Sequence, residues 1–218
     1  MLFDFGKIPP REGYKLLVST VTPRPIAWIT SLNAHGQLNA APFSFFNVFA
    51  GDPAVVGIGI GSHEPGRAKD TRKNIAATKE FVVNLVSEET AEAMNVTAIE
   101  FESEVNEINE AELETLPSVH VKPPRIAASP VSMECRLMQI VDLGEHNGLV
   151  LGNVLAMHIR DEFVLDPAKF YVDTPNLKTI GRMHGAGWYA RTSDRFLMER
   201  IPRANWKLRG EKKTPVSR

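Results

Sequence analysis

Residues 22–31 read TPRPIAWITS. Pro23 and Pro25 fix φ on either side of Arg24 and hold it extended, and IAWITS has the β-branched and aromatic content that strands favour. On the N-terminal side, LLVSTV at 16–21 has the same character, so the sequence predicts extended chain from Leu16 to Leu32. On the other side, NAHG at 33–36 predicts a hairpin turn into a second strand, LNAAPFSFFNVF at 38–49. Asp52-Pro53 marks another turn, and AVVGIGIG at 54–61 reads as a third strand whose glycines leave room for a backbone or a ligand.

Beyond a polar loop at 63–67, AKDTRKNIAATKE at 68–80 predicts a crossover helix with Ile75 and Ala76 on one side, delivering the chain to a short apolar strand, FVVNLVS. Residues 87–101 read as a second helix. Ser87 is its candidate cap, although the capping-box acid is not at the position the rule expects. Residues 103–130, acidic and then Pro-rich, are expected to cross the surface with at most a helical turn near Glu110 to Leu116, and to form part of a lid. A long hairpin follows, from 131 to 164, turning at Glu145 to Gly148. The stretch from Pro167 to 191 reads as irregular, and the basic tail 203–218 as flexible. The expected organisation is one domain over 1–218 with its core at about 14–191, mainly β with peripheral helices.

Lys plus Arg number 25 and Asp plus Glu 26, giving a formal charge of -1, so no global field recruits nucleic acid or an anionic membrane. One cysteine, Cys135, excludes an intrachain disulfide framework, and its strand setting predicts a buried, inert thiol. Acidic Asp4 and the prolines at 9 and 10 do not fit a signal peptide. With no run of roughly 18 apolar residues, the expectation is a cytoplasmic protein with no membrane partner.

Residues 21–80 hold the chemistry. Arg24, the hydroxyls of Thr30 and Ser31, the polar run 39–47 and Lys69-Asp70-Thr71 at a helix start together supply donors for a phosphorylated ligand. On spacing alone, KDT is an ordinary capped turn, and Trp28, Phe43, Phe45, Phe46 and Phe49 are core aromatics. His158 reads as a packed or edge residue and His63 as a loop residue. Neither has a second ligand at metal spacing, so no metal is expected. No G-x-S-x-G elbow and no G-x-G-x-x-G after a strand appears.

TPRPIAWITS, NAAPFSFFN, GRAKDTRKNI and EFVVNLV, in this order, resemble the flavin reductase-like group of FMN-binding split barrels. That group includes flavoredoxin and the reductase components of two-component flavin monooxygenases. The resemblance runs from Tyr14 to about Arg191 and implies a Greek-key-like split β-barrel, a homodimer, and FMN near the dimer interface. It implies that Arg24, Trp28, Thr30 and Ser31 lie against the flavin and its phosphate, and that Asn39, Ala41, Pro42, Ser44 and Asn47 lie near the isoalloxazine. It further assigns phosphate contacts to Lys69 and Thr71, with Asp70 and Asn74 fixing the loop. Arg182 and His184, in IGRMHGAGWY, would approach the cofactor or a nicotinamide, though Met183-His184 stands where the family more often has Leu-Gly.

The function this implies is an NAD(P)H-dependent flavin reductase passing a hydride from NADH or NADPH to FMN, with a monooxygenase component as a possible partner. No acid, base or nucleophile is assigned, because hydride transfer between stacked rings needs orientation and electrostatics only. The alternatives are a flavoredoxin-like electron carrier without direct nicotinamide use, and a non-catalytic split-barrel binding protein.

Overall fold

Alternation along AWITSL sends Ala27 and Ile29 to one face of a strand and Trp28 and Thr30 to the other, and both faces are buried. The structure, a computed structural model, describes residues 1–64, 67–185, 187–203 and 206, without the side chains of residues 63, 64 and 67. The side chain of His63 and the tail beyond 203, Trp206 apart, therefore lie outside the described residues.

The first half of the chain forms α1 (Pro10–Thr20), β1 (Arg24–Pro25), β2 (Ala27–Leu32), β3 (Leu38–Phe43), β4 (Phe46–Gly51), β5 (Ala54–Glu64), β6 (Arg67–Ala68), α2 (Asp70–Thr78) and β7 (Glu80–Leu85). A 3₁₀ turn (Glu88–Thr90), α3 (Ala91–Val96), α4 (Glu107–Glu110), β8 (Thr115–Leu116) and β9 (Arg125–Ile126) follow. The long strands β10 (Val131–Asp142) and β11 (Asn147–Ile159) precede another 3₁₀ turn (Asp161–Phe163) and β12 (Val164–Asp166), β13 (Tyr171–Val172), β14 (Ile180–Arg182) and β15 (Tyr189–Arg191).

The main sheet is antiparallel in the order β3-β2-β7-β10-β11-β5-β4, with β6 on β5. β3 and β4 are its two edges, yet only Ser44 and Phe45 separate them in sequence. So short a link curls the sheet until its edges approach, and Gly59 N–H donates to Phe45 O at 2.7 Å at the seam. The result is a split barrel, not a closed one. Inside the curl lie Ile29, Phe43, Phe46, Ile58, Ile75, Phe81, Val83 and Cys135. A second core on the outer face joins Trp28, Ala40, Val86, Met94, Ile108 and Ile126. Gly152 faces the Phe81 ring, which leaves no space for a Cβ.

Several sequence expectations need correction. LLVSTV is not extended but ends α1. Pro10 occupies the first turn, and the Thr20 hydroxyl bonds back to Leu16 O, so local helix geometry prevails over β-branched preference. The stretch 38–49 is two strands on opposite edges. The helical turn of the excursion falls at Glu107–Glu110, capped by the Asn106 side chain, while Thr115 and Leu116 are extended. Ser87 does close a capping box, with Thr90 in the role usually taken by Glu or Gln. The room beside the β5 glycines is filled by the Phe49 and Phe45 side chains of the neighbouring strand and link. Part of the stretch after Pro167, read as irregular, forms the short strands β13 to β15.

Candidate functional site

β3 is an edge strand, and Pro42 shows which way its groups point. Proline has no N–H, so its position faces away from β2, and Ala40, two residues earlier, also presents its N–H outward. That N–H is taken by Glu107 Oε2 of α4 at 3.1 Å. On the same side α2 packs against β2 and β3. Asn39 Nδ2 donates to Thr71 Oγ1 at 3.1 Å, and Asn74 Nδ2 to Ser31 Oγ at 3.2 Å, fixing the start of α2 beside the edge.

The floor of Asn39, Ala41, Pro42 and Phe43, the start of α2 from Lys69 to Thr71, and residues 97–103 enclose a polar cleft of about 500 Å³. No side chain caps the first turn of α2, whose backbone N–H groups are suited to an anion. The Lys69 ammonium stands 5.9 Å from the Phe43 ring centroid and makes no ion pair among the described residues. Pro42, Phe43 and Lys69 are shared with a second, apolar cleft of about 770 Å³, walled by Tyr14, Leu17 and Phe45. A smaller hollow of about 240 Å³ also meets Pro42 and Phe43 and holds Ser44, Met94, Arg182 and Tyr189. Lys69 and the start of α2 offer donors for a phosphate, in a cleft also lined by Asp70, Glu100, Glu102 and Glu107, and the second cleft offers apolar space for a flat ring.

The carboxyl of Glu107 is pushed above its usual value, chiefly by burial, with the charge of Asp70 adding to the effect. Asp70 itself pairs with Lys73 at 3.1 Å and accepts from Ser103 Oγ at 2.8 Å.

Asn39, Ala41, Pro42, Lys69, Asp70 and Thr71 thus share one cleft, and Ser44 and Arg182 share the adjoining hollow. Arg182 lies over the Tyr189 ring, 4.7 Å from its centroid. Ser31 on β2 and Asn74 on the packed face of α2 are buried against each other. The other positions line neither of these two spaces, although Arg24 Nε donates to Ser44 Oγ at 3.5 Å and its guanidinium stands 5.9 Å from the Phe45 ring centroid. Trp28 is fully buried in the outer core, its Nε1 donating to Thr97 Oγ1 at 2.8 Å, because even positions of β2 face the helical layer. Thr30 donates to Pro124 O at 2.6 Å. Arg24 is buried, and its guanidinium donates to Val18 O, Val21 O and Met183 O at 2.8, 2.8 and 2.9 Å, clamping the end of α1 to β14. Burial lowers its pKa. Asn47 is exposed on β4, at the other edge of the sheet, and His184 stacks on Trp188.

Sequence reasoning missed Glu107 and a second acid, Glu134. The latter is fully buried on β10, accepting from the backbone N–H groups of Val119, His120 and Val121 at 2.8, 2.5 and 3.2 Å, with His158 Nε2 at 2.6 Å. Cys135 beside it is buried, and desolvation raises its thiol far above the ordinary value.

Comparison with known proteins gives one consistent result. Residues 19–174 match the flavin reductase like domain. A protein of Deinococcus radiodurans is 39% identical over 208 residues, spanning 94% of this chain and 91% of its own length. The crystal structure of the Pseudomonas fluorescens 2-nitrobenzoate 2-nitroreductase NbaA is 34% identical with a TM-score of 0.84, covering 93% of this chain and 97% of that one. Nitrilotriacetate monooxygenase component B from Bacillus cereus is 29% identical with a TM-score of 0.85, covering 91% of this chain and 98% of that one.

Proposed function

Because this chain belongs to the flavin reductase like domain family, we propose that it binds FMN in the joined clefts and acts as an NAD(P)H-dependent flavin reductase. The observation that carries this reading is the meeting, at Pro42 and Phe43, of a polar cleft at the start of α2 with an apolar cleft lined by aromatic side chains. The donor set fits the group: an ammonium with no ion pair among the described residues and a helix start without a side-chain cap suit a phosphate monoester, and the apolar walls suit an isoalloxazine.

In this reading Lys69 and the first turn of α2 hold the phosphate. Asn39 and Thr71 lock the edge strand to the helix so that the corner keeps its shape, and Pro42, Ala41 and Ser44 border the ring. Ser31 and Asn74 act from below, as supports. Arg24, Trp28 and Thr30 hold the surrounding elements in register and do not line the polar cleft. Arg182, which lines the smaller hollow, would meet a nicotinamide cofactor. Bound FMN would supply the acceptor for a hydride from NADH or NADPH.

The likeness to nitrilotriacetate monooxygenase component B supports delivery of reduced flavin to a monooxygenase partner. The 34% identity to NbaA favours a second reading, direct reduction of a nitroaromatic acid. A homodimer suits the exposed Val48 and Phe49 of β4 and Met157 of β11, which a second copy would cover. With its thiol reduced and buried, Cys135 is compatible with a cytoplasmic location.

Oxidation of NADH and of NADPH, followed with and without added FMN, tests the activity. Turnover that requires free flavin supports the reductase. FMN binding without oxidation of either nucleotide would leave the electron-carrier reading and remove the reductase one.

A further inference from the structure

Four acidic residues, Asp70, Glu100, Glu102 and Glu107, line the cleft where an anion would bind. Asp70 opens α2, and Glu107 lines the same cleft from α4, close enough for the charge of Asp70 to act on it. Among the described residues Lys69 and Lys73 are the cations of the cleft wall, and Lys73 is paired with Asp70 at 3.1 Å. Lys69 lines the same cleft as Glu107. Glu107 is held in place, not free to swing away, because its Oε2 accepts the outward Ala40 N–H at 3.1 Å.

We propose that Glu107 is a selectivity residue of this cleft, its fixed carboxylate opposing a phosphate dianion at the start of α2 and so keeping a phosphorylated flavin exchangeable. This rests on the flavin reading above and deepens it. A cleft built only to retain FMN would gain by presenting a neutral acceptor to Ala40, and Gln would serve. The acid keeps the backbone contact while weakening the hold on the phosphate, as suits a flavin that leaves in reduced form for an acceptor elsewhere.

Glu107→Gln separates the two roles, since the amide oxygen still accepts from Ala40 while the charge is gone. FMN and riboflavin, which differ by the phosphate, are titrated into the full-length wild-type and variant proteins, and binding is read by quenching of flavin fluorescence. The FMN-over-riboflavin affinity ratio is expected to rise by about fivefold in the variant, the size of one partly screened charge interaction. Glu107→Ala, which also frees the Ala40 N–H, must move the ratio in the same direction, and this second variant guards against a local distortion in the first. A ratio that stays constant or falls, with wild-type flavin binding intact, overturns the proposal alone. A wild-type protein that binds neither flavin overturns the flavin reading and this proposal together.

Discussion

Asn39 Nδ2 donates to Thr71 Oγ1 across 3.1 Å, joining the edge strand of the sheet to the first turn of the helix that faces it. Thr71 is buried, so the bond is shielded from water, and it sets the width of the cleft between the two elements. Thr71→Val removes the acceptor, strands the Asn39 amide and is expected to destabilise the protein by about 1 kcal/mol. FMN affinity should fall with it, by about tenfold, as the corner loosens. Thermal unfolding and flavin titration on the same sample check both parts, and unchanged affinity would show that the tie does not shape the site.

Lys69 is the cation that the account places on the phosphate. Lys69→Ala should weaken FMN binding by about tenfold while changing riboflavin binding little. Equal losses for both flavins would move Lys69 from the phosphate to the ring.

Trp28 tests the division between core and cofactor. It is fully buried against Met94 and Ile126 on the side of β2 away from the inner core. Trp28→Phe leaves a void and deletes the bond to Thr97, and it is expected to cost about 1–3 kcal/mol of stability. Affinity for FMN should change less than threefold in the folded protein, roughly within the spread of a remote substitution. A shift in the flavin absorption bands of this variant would contradict the placement.

Glu134 carries a pH prediction. Its burial favours the neutral form, but the N–H groups of Val119 and His120 and the contact with His158 outweigh that, so its carboxyl is held below the usual 4.5. A carboxyl with a lowered folded value adds stability above its unfolded value, and that stability is lost as pH falls through the folded one. Wild-type melting temperature should therefore drop below about pH 4.5 more steeply than that of Glu134→Gln, whose side chain does not titrate. Parallel curves for the two proteins would remove Glu134 from the acid response.

Much of the sheet was legible because its signals are local. NAHG turned as read, with Gly36 at φ +81°, and the alternation in 131–164 gave the β10–β11 hairpin. α2 followed from its helix formers. The helix α1 is hidden because LLVST is strand-like in composition, while its helix signals lie upstream at Pro10 and Glu12. Pro42 carried an unused signal, since a proline inside a strand marks an edge. The resemblance places Trp28 against the flavin, whereas the structure buries it in the outer core, opposite in strand parity to Ile29. Glu107 and Glu134 could not be found locally: each acts on backbone N–H groups at least 13 residues away, brought near only by the fold.

The central claim is that the joined clefts bind FMN and accept electrons from a nicotinamide nucleotide. The most direct measurement is the visible spectrum of the FMN-loaded protein, followed anaerobically as NADH and then NADPH are added. The account predicts a flavin spectrum that bleaches with one donor or both. A protein that shows no bound-flavin spectrum after incubation with FMN would contradict it at its root, and a bound flavin that neither nucleotide bleaches would contradict the reductase assignment.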